Sequence, residues 1–405
     1  MNRQMANVSA ALRASARVDA ISASGTNAVS QKVRDLAAKG ISVINMGGGD
    51  PDFPTPEHVV DAAVRSLRGG ATHYVDARGL LDLRQAIADK LAQENHIEVV
   101  PDTGIIVTPG AKFAVFLALM AHLNPGDEVL LPDPCWVSYA AMVRLAEAAA
   151  VPVPTLASNG FRLERERLEA KITPHTRAIV ISTPCNPTGH VLDDEEIATI
   201  ADVAAQYDLL VISDEIYERI AFPGTPHHSL AAAPRLADRT LTVNGFSKGY
   251  AMTGWRLGYV AGVAAVMKPL YKVQQHSVYC VAPFIQQAGV AALRGPQDGL
   301  KAMVNEYVRR CHAFVELLRE IPGVKASAPG GAFYAFPQFD LGGVNSRKLA
   351  DALLEVGGVA ATAGAAFGVC GENHVRFTLR VPVETLPAVA AGIRRTLDTL
   401  AGIAV

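Results

Sequence analysis

The chain has 405 residues, half of them apolar and 19% charged, with a formal net charge of -2. That length favours one large domain with a smaller partner, and the near-neutral charge gives no support for nucleic acid or an anionic membrane as a partner. No apolar run reaches the roughly 18 residues of a membrane span, and the five cysteines are scattered without a CxxC pair, which argues against a zinc ribbon or disulfide framework and fits a reducing, cytoplasmic setting.

The first stretch, MNRQMANVSAALRASARVDA, carries no acid before Asp19. Transit peptides share this composition; we read the segment as an N-terminal arm. From 104 to 262, seven short apolar runs alternate with helix-like stretches. They are GIIVT (104–108), EVLLPD (128–133), AVPVP (150–154), AIVISTP (178–184), LLVISDE (209–215), TLTVNG (240–245) and LGYVAG (257–262). Each is continuous rather than alternating in polarity, as in strands covered on both faces. Between them, KFAVFLALMAHLNPGD closes on an Asn-Pro-Gly stop and DDEEIATIADVAAQYD opens on acids, which are helix signals.

This alternation predicts an α/β fold with a mostly parallel, seven-stranded sheet sandwiched by helices. Ligands of such sheets bind outside the carboxyl ends of the strands. The last third reads differently. VNEYVRRCHAFVELLREI and ETLPAVAAGIRRTLDTLAGI are amphipathic helices, with GGAFYAFPQFD and HVRFTLRV as strand-like pieces between them. They predict a smaller α+β domain completed by the N-terminal segment. The expected division is 1–58 for the arm and part of the small domain, 59–295 for the large domain and 296–405 for the C-terminal small domain.

Four motifs fall at the carboxyl ends of predicted strands. VTPGAKFAVF reads as strand, tight turn and helix, so the N–H groups of Ala111 and Lys112 point outward where a phosphate could sit. TPCNPTG holds Asn186 between Cys185 and Pro187, a stiff backbone that aims an amide. VISDEIYE brings Asp214 out of an apolar strand, where a carboxylate must be paired or hydrogen-bonded, and places Tyr217 three residues on. NGFSKGYAMTGWRLGY sets Lys248 among small residues and follows it with Arg256, whose planar fork suits a phosphate. Each motif alone has a plainer reading: an ordinary turn, a turn asparagine, a helix cap, a solvated lysine. Their succession in one chain argues for a site.

The order GGGDPDF, PGAK, NPTG, SDEIY, SKGYAMTGWRLGY and a late HVRF resembles the class I/II aminotransferases, pyridoxal-phosphate enzymes of fold type I related to aspartate aminotransferase. The likeness runs from about residue 18 to the C-terminus. It implies that Lys248 forms the internal Schiff base with pyridoxal 5'-phosphate and shuttles the proton. Asp214 would pair with the pyridinium nitrogen, and Asn186 and Tyr217 would bond the phenolic oxygen. Arg256, Ser247 and the amides of Ala111 and Lys112 would form the phosphate cup, and Trp136 would stack on the ring. Tyr74 would reach the phosphate of a neighbouring subunit, making a homodimer with shared active sites. Gly49, Trp136, Asn186 and Arg376 would face the substrate, with Arg376 forking its α-carboxylate.

The implied reaction is ping-pong transamination, moving the α-amino group of an L-amino acid to a 2-oxo acid. Aspartate is the donor most often assigned to this pattern; aromatic amino acids, alanine, methionine and basic amino acids stay open. The sequence departs from the family at two places. Gly245 stands where one variant has a serine three residues before the lysine, which removes one phosphate hydroxyl. Arg380 stands where a small residue is common, either on the surface or in the substrate pocket. A C–S lyase on the same fold is the nearest alternative, although AMTGWRLGY resembles the transferases. A transcription regulator with an aminotransferase-like domain needs a winged helix before GGGDPDF and a basic patch. The eleven histidines show no HExxH spacing, so no metal is expected.

Overall fold

The structure, a computed structural model, describes residues 13–22 and 25–403. The arm predicted for the N-terminus therefore lies largely outside the described residues. Of it the structure describes residues 13–20, which include a single helical turn, Ala16–Asp19.

All seven apolar runs form strands of one sheet. In chain order they are β1 (Ile105–Thr108), β2 (Glu128–Asp133), β3 (Ala149–Pro154), β4 (Thr176–Ser182), β5 (Leu210–Asp214), β6 (Thr240–Gly245) and β7 (Gly258–Ala261). Their order across the sheet is β1-β7-β6-β5-β4-β2-β3. Only β7 runs against its neighbours, pairing antiparallel with both β1 and β6. Both faces of the sheet are covered. Leu241 and Val243 pack with the helix Ala111–His122 on one side. Ile179, Ile181 and Val211 pack with the helix Asp194–Gln206 on the other. That double cover is why the strands read as unbroken apolar runs.

Local signals set the helix ends. The Asp193 side chain accepts from the Glu196 N–H while the Glu196 carboxylate reaches back to the Asp193 N–H, a capping box that satisfies two orphan donors. Pro283 opens the helix Pro283–Arg294, where its missing N–H costs nothing. The helix Asp298–Arg319 begins six residues before the amphipathic stretch read from sequence, with Asp298 favourably placed in its first turn.

The C-terminal elements build a second core around Phe314, Phe333, Phe377 and Ile393. The N-terminal strand Ile44–Asn45 pairs in parallel with Val359–Ala360, so residues just before Gly49 join these elements. The backbone then runs from this pair to the carboxyl end of the large sheet. Among the described residues no helix is long and apolar enough to cross a membrane.

Candidate active site

Register brings the carboxylate to the sheet's carboxyl edge. Asp214 is the last residue of β5, beside Ser182 of β4 and Val243 of β6. Lys248 follows the end of β6 by three residues. Gly245 on β6 pairs with Gly258 on β7. A Cβ on Gly258 would lie 2.5 Å from the Ala111 nitrogen, and one on Gly245 would lie 2.9 Å from Gly258 Cα. A serine at 245 does not fit, which gives a physical reason for that departure from the family pattern. Gly258 lets the first turn of the helix Ala111–His122 press against the start of β7, two residues beyond Arg256.

A cavity of about 450 Å³ opens there. Every site residue named from the sequence lines it except Tyr74. Lys248 donates from Nζ to the Gly49 carbonyl oxygen. Asp214 is buried and accepts from the Tyr139 hydroxyl at 2.6 Å and from the Ile216 N–H at 3.3 Å. Tyr217 and Tyr334 share a hydrogen bond of 2.6 Å between their hydroxyls. Arg376, 1% exposed, donates from Nη1 to Asn186 Oδ1 at 3.0 Å and from Nη2 to the Gly47 carbonyl at 2.8 Å. Its guanidinium lies 4.5 Å from the centre of the Tyr334 ring. Its Nε is buried and has no hydrogen-bond partner among the described residues.

Burial dominates the electrostatics. It pushes Lys248 down to about 8, with the Arg376 and Arg256 cations adding to the effect and Asp50 and Asp214 opposing it. It pushes Asp214 up to about 6, against the bonds from Tyr139 and Ile216. The Tyr217 phenol rises well above its ordinary value for the same reason. Lys112 is lowered by burial and by Arg256, and its Nζ stands 5.0 Å from the centre of the Trp136 ring.

The Arg256 end of the cavity is equally specific. Arg256 has φ +52, a left-handed backbone that non-glycine residues rarely adopt. It donates from Nη1 to the Thr253 carbonyl at 2.9 Å. Gly110, with φ +87, caps the helix Ala111–His122, and a Cβ there would stand 2.4 Å from Arg256 Nη2. Only glycine leaves room for the guanidinium beside the helix N-terminus, a natural anion seat.

Tyr74 lies elsewhere. It is 86% exposed, its ring meets Tyr279 edge-on at 5.4 Å, and it borders a separate depression with Arg65 and Gln287. Arg380 is half-buried, and a Cβ on Gly48 would stand 3.1 Å from its Nη1. It is not among the residues lining the cavity. Sequence reasoning missed Tyr139, Ser182, Thr253 and Tyr334, all of which line the cavity. Tyr139 had a local signal, since it stands three residues after Trp136.

The donor set fits pyridoxal phosphate. Among the described residues Asp214 is a buried carboxylate with no hydrogen bond from a cation and Arg376 keeps an N–H without a partner, and the glycine-walled seat beside Arg256 has the room and the charge to suit an anion. A model of aminotransferase class I and II matches residues 41–393, and the chain belongs to this family, whose members are pyridoxal-phosphate-dependent enzymes of fold type I. The aspartate aminotransferase of Musicola paradisiaca (strain Ech703) is 44% identical over 382 residues, 94% of this chain and 96% of the relative. Aromatic-amino-acid aminotransferase 2 of Thermococcus litoralis is 39% identical over 358 residues, 88% and 92% of the two chains. The solved structure of aspartate aminotransferase from Thermus thermophilus with maleate matches with a TM-score of 0.89 at 38% identity, covering 95% of this chain and 99% of that one.

Proposed function

We propose that this aminotransferase takes aspartate as its amino donor and a 2-oxo acid as acceptor. The observation that carries the reading is Lys112. Its ammonium lines the cavity above Trp136 and makes no ion pair among the described residues. Arg376 answers one carboxylate and Arg256 the phosphate, which leaves Lys112 for a second carboxylate. The names of several relatives support the same donor.

In this reading Arg256, Ser247 and the amides of Ala111 and Lys112 hold the phosphate, and Trp136 covers the ring. Asp214 accepts from the ring nitrogen, while Asn186 and Tyr217 hydrogen-bond the phenolic oxygen. When bound, pyridoxal phosphate supplies an electron sink for the charge left at the α-carbon. The Lys248 amine, lowered to about 8, is neutral often enough to take the α-proton and return it. Gly49 keeps the wall open, since a Cβ there would meet the Tyr334 hydroxyl at 3.1 Å.

A panel of amino donors with 2-oxoglutarate and with pyruvate tests the donor assignment. Aspartate is expected to lead, and Lys112→Met is expected to lower its kcat/KM by about tenfold or more while sparing alanine and phenylalanine. An aromatic donor leading the panel, or pyruvate release from cysteine conjugates, overturns the reading.

Arg376→Lys tests the α-carboxylate fork. Lysine cannot make two parallel bonds, and loss of one partner from a buried charge pair costs about 3–5 kcal/mol. Every donor is therefore expected to lose more than about a hundredfold in kcat/KM. Impairment of some donors only would rule the assignment out.

The chain is also proposed to work as a cytoplasmic homodimer, with Tyr74 completing the partner's phosphate seat. Its exposure beside Tyr279, away from its own Lys248, supports this. The free state of all five cysteines fits the compartment. Division of the chain near 58 and 295 belongs to the same reading.

A further inference from the structure

We propose that Tyr139 is a positioning residue for Asp214. Its phenol holds one carboxylate oxygen so that the other faces the cavity as acceptor for the cofactor's ring nitrogen. The proposal rests on the reading of Asp214 given above.

Asp214 emerges from β5 with little else to orient it. Its Oδ1 takes a long bond of 3.3 Å from the Ile216 N–H, and its Oδ2 takes a short one of 2.6 Å from the Tyr139 hydroxyl. No arginine or lysine hydrogen-bonds it among the described residues. Lys248 acts on it only through space, and the adjacent Glu215 opposes its charge. The terminal torsion of an aspartate is soft, so a carboxylate without a strong tether turns freely. Among the described residues Tyr139 is the one side chain that donates to it.

Tyr139 is itself fixed. It is 1% exposed, and its N–H donates to the Trp136 carbonyl at 3.1 Å. Its ring meets the Trp136 indole edge-on at 5.2 Å and 86°. The phenol lies beside the Ser182 hydroxyl, on the residue in register with Asp214. Burial raises the phenol's ionisation well above the ordinary range, so it remains a donor. One rigid unit therefore carries both the indole expected over the cofactor ring and the clamp on the carboxylate expected at its nitrogen.

Tyr139→Phe keeps the ring and its edge contact and removes only the hydroxyl. Holoenzyme reconstituted with ring-15N pyridoxal phosphate gives two readouts. These are the nitrogen chemical shift, which separates protonated from neutral pyridine, and the cofactor dissociation constant from a fluorescence titration. Tyr139→Phe is expected to raise that constant about tenfold or more, the worth of a hydrogen bond to a charged group, and to move the nitrogen signal toward neutral pyridine. Asp214→Asn is expected to move the signal fully, and adding Tyr139→Phe to it to change neither readout. With 4-aminophenylalanine at position 139, which retains a donor on the same ring, both readouts are expected to recover. A normal signal in Tyr139→Phe beside a displaced one in Asp214→Asn overturns the role of Tyr139 alone. Normal signals in both overturn the Asp214 reading beneath it. Equal losses in the two backgrounds, or no recovery with 4-aminophenylalanine, mark a merely structural tyrosine and overturn the proposal.

Discussion

Lys248→Ala is expected to abolish turnover, by about ten-thousandfold or more, while the protein still binds its cofactor. Two functions are lost with one amine. In the proposed function the residue is both the covalent anchor for the cofactor and the base that moves the α-proton, and general-base catalysis alone contributes up to about ten-thousandfold. Binding survives because the seat beside Arg256, the Trp136 ring and Asp214 are untouched. Borohydride treatment of the wild-type holoenzyme should fix the cofactor on Lys248, and recovery of the label on a peptide bearing another lysine would overturn the assignment. The lowered amine predicts a pH profile as well. With a value of about 8 instead of the ordinary 10.5, half of the amine is neutral at pH 8, against roughly one part in three hundred for an ordinary lysine. The burial-depressed amine therefore gains basic form as pH rises through about 8, and rates limited by that form should rise over the same interval.

Asp214→Ala is expected to lose about a thousandfold in turnover and to keep its fold. A pyridine that is not held protonated drains charge poorly, and removing one preorganised electrostatic partner from a buried site costs about a hundred- to a thousandfold. A loss under about tenfold, roughly 1.4 kcal/mol, would count against the pyridinium role. Burial raises this carboxyl to about 6. In the apoprotein it therefore ionises as pH rises through about 6 and is protonated below it. Cofactor affinity should accordingly weaken as pH falls through that value, and Asp214→Ala should flatten this dependence. A fluorescence titration of the cofactor across pH 5 to 8 checks the point, and an unchanged slope in the variant would contradict it.

The sequence by itself determined the seven strands and which side chains stand at their carboxyl ends. Strands buried on both faces must be apolar throughout, and that is a local property of each run. The same holds for TPGAK, NPTG, SDEIY and SKGYAMTGWRLGY, because each motif is one continuous stretch at the end of a strand and keeps its spacing wherever the fold places it. The small strands Tyr334–Ala335 and Gln338–Phe339 were visible only as one loose strand-like piece, since two residues carry too little pattern. Other features depended on topology. The insertion of β7 between β1 and β6 brings Gly258 against Gly245 and explains why no serine stands there. Tyr139 meets Asp214 across 75 positions, and Tyr334 meets Tyr217 across 117. The Gly49 carbonyl receives Lys248 across 199, and Arg376 reaches Asn186 across 190. Arg380, open between surface and pocket from sequence, lies half-buried against Gly48 because the N-terminal segment folds back onto the C-terminal elements. A side chain's type is written locally, but its partner, its burial and its ionisation depend on which distant strands the sheet order sets side by side.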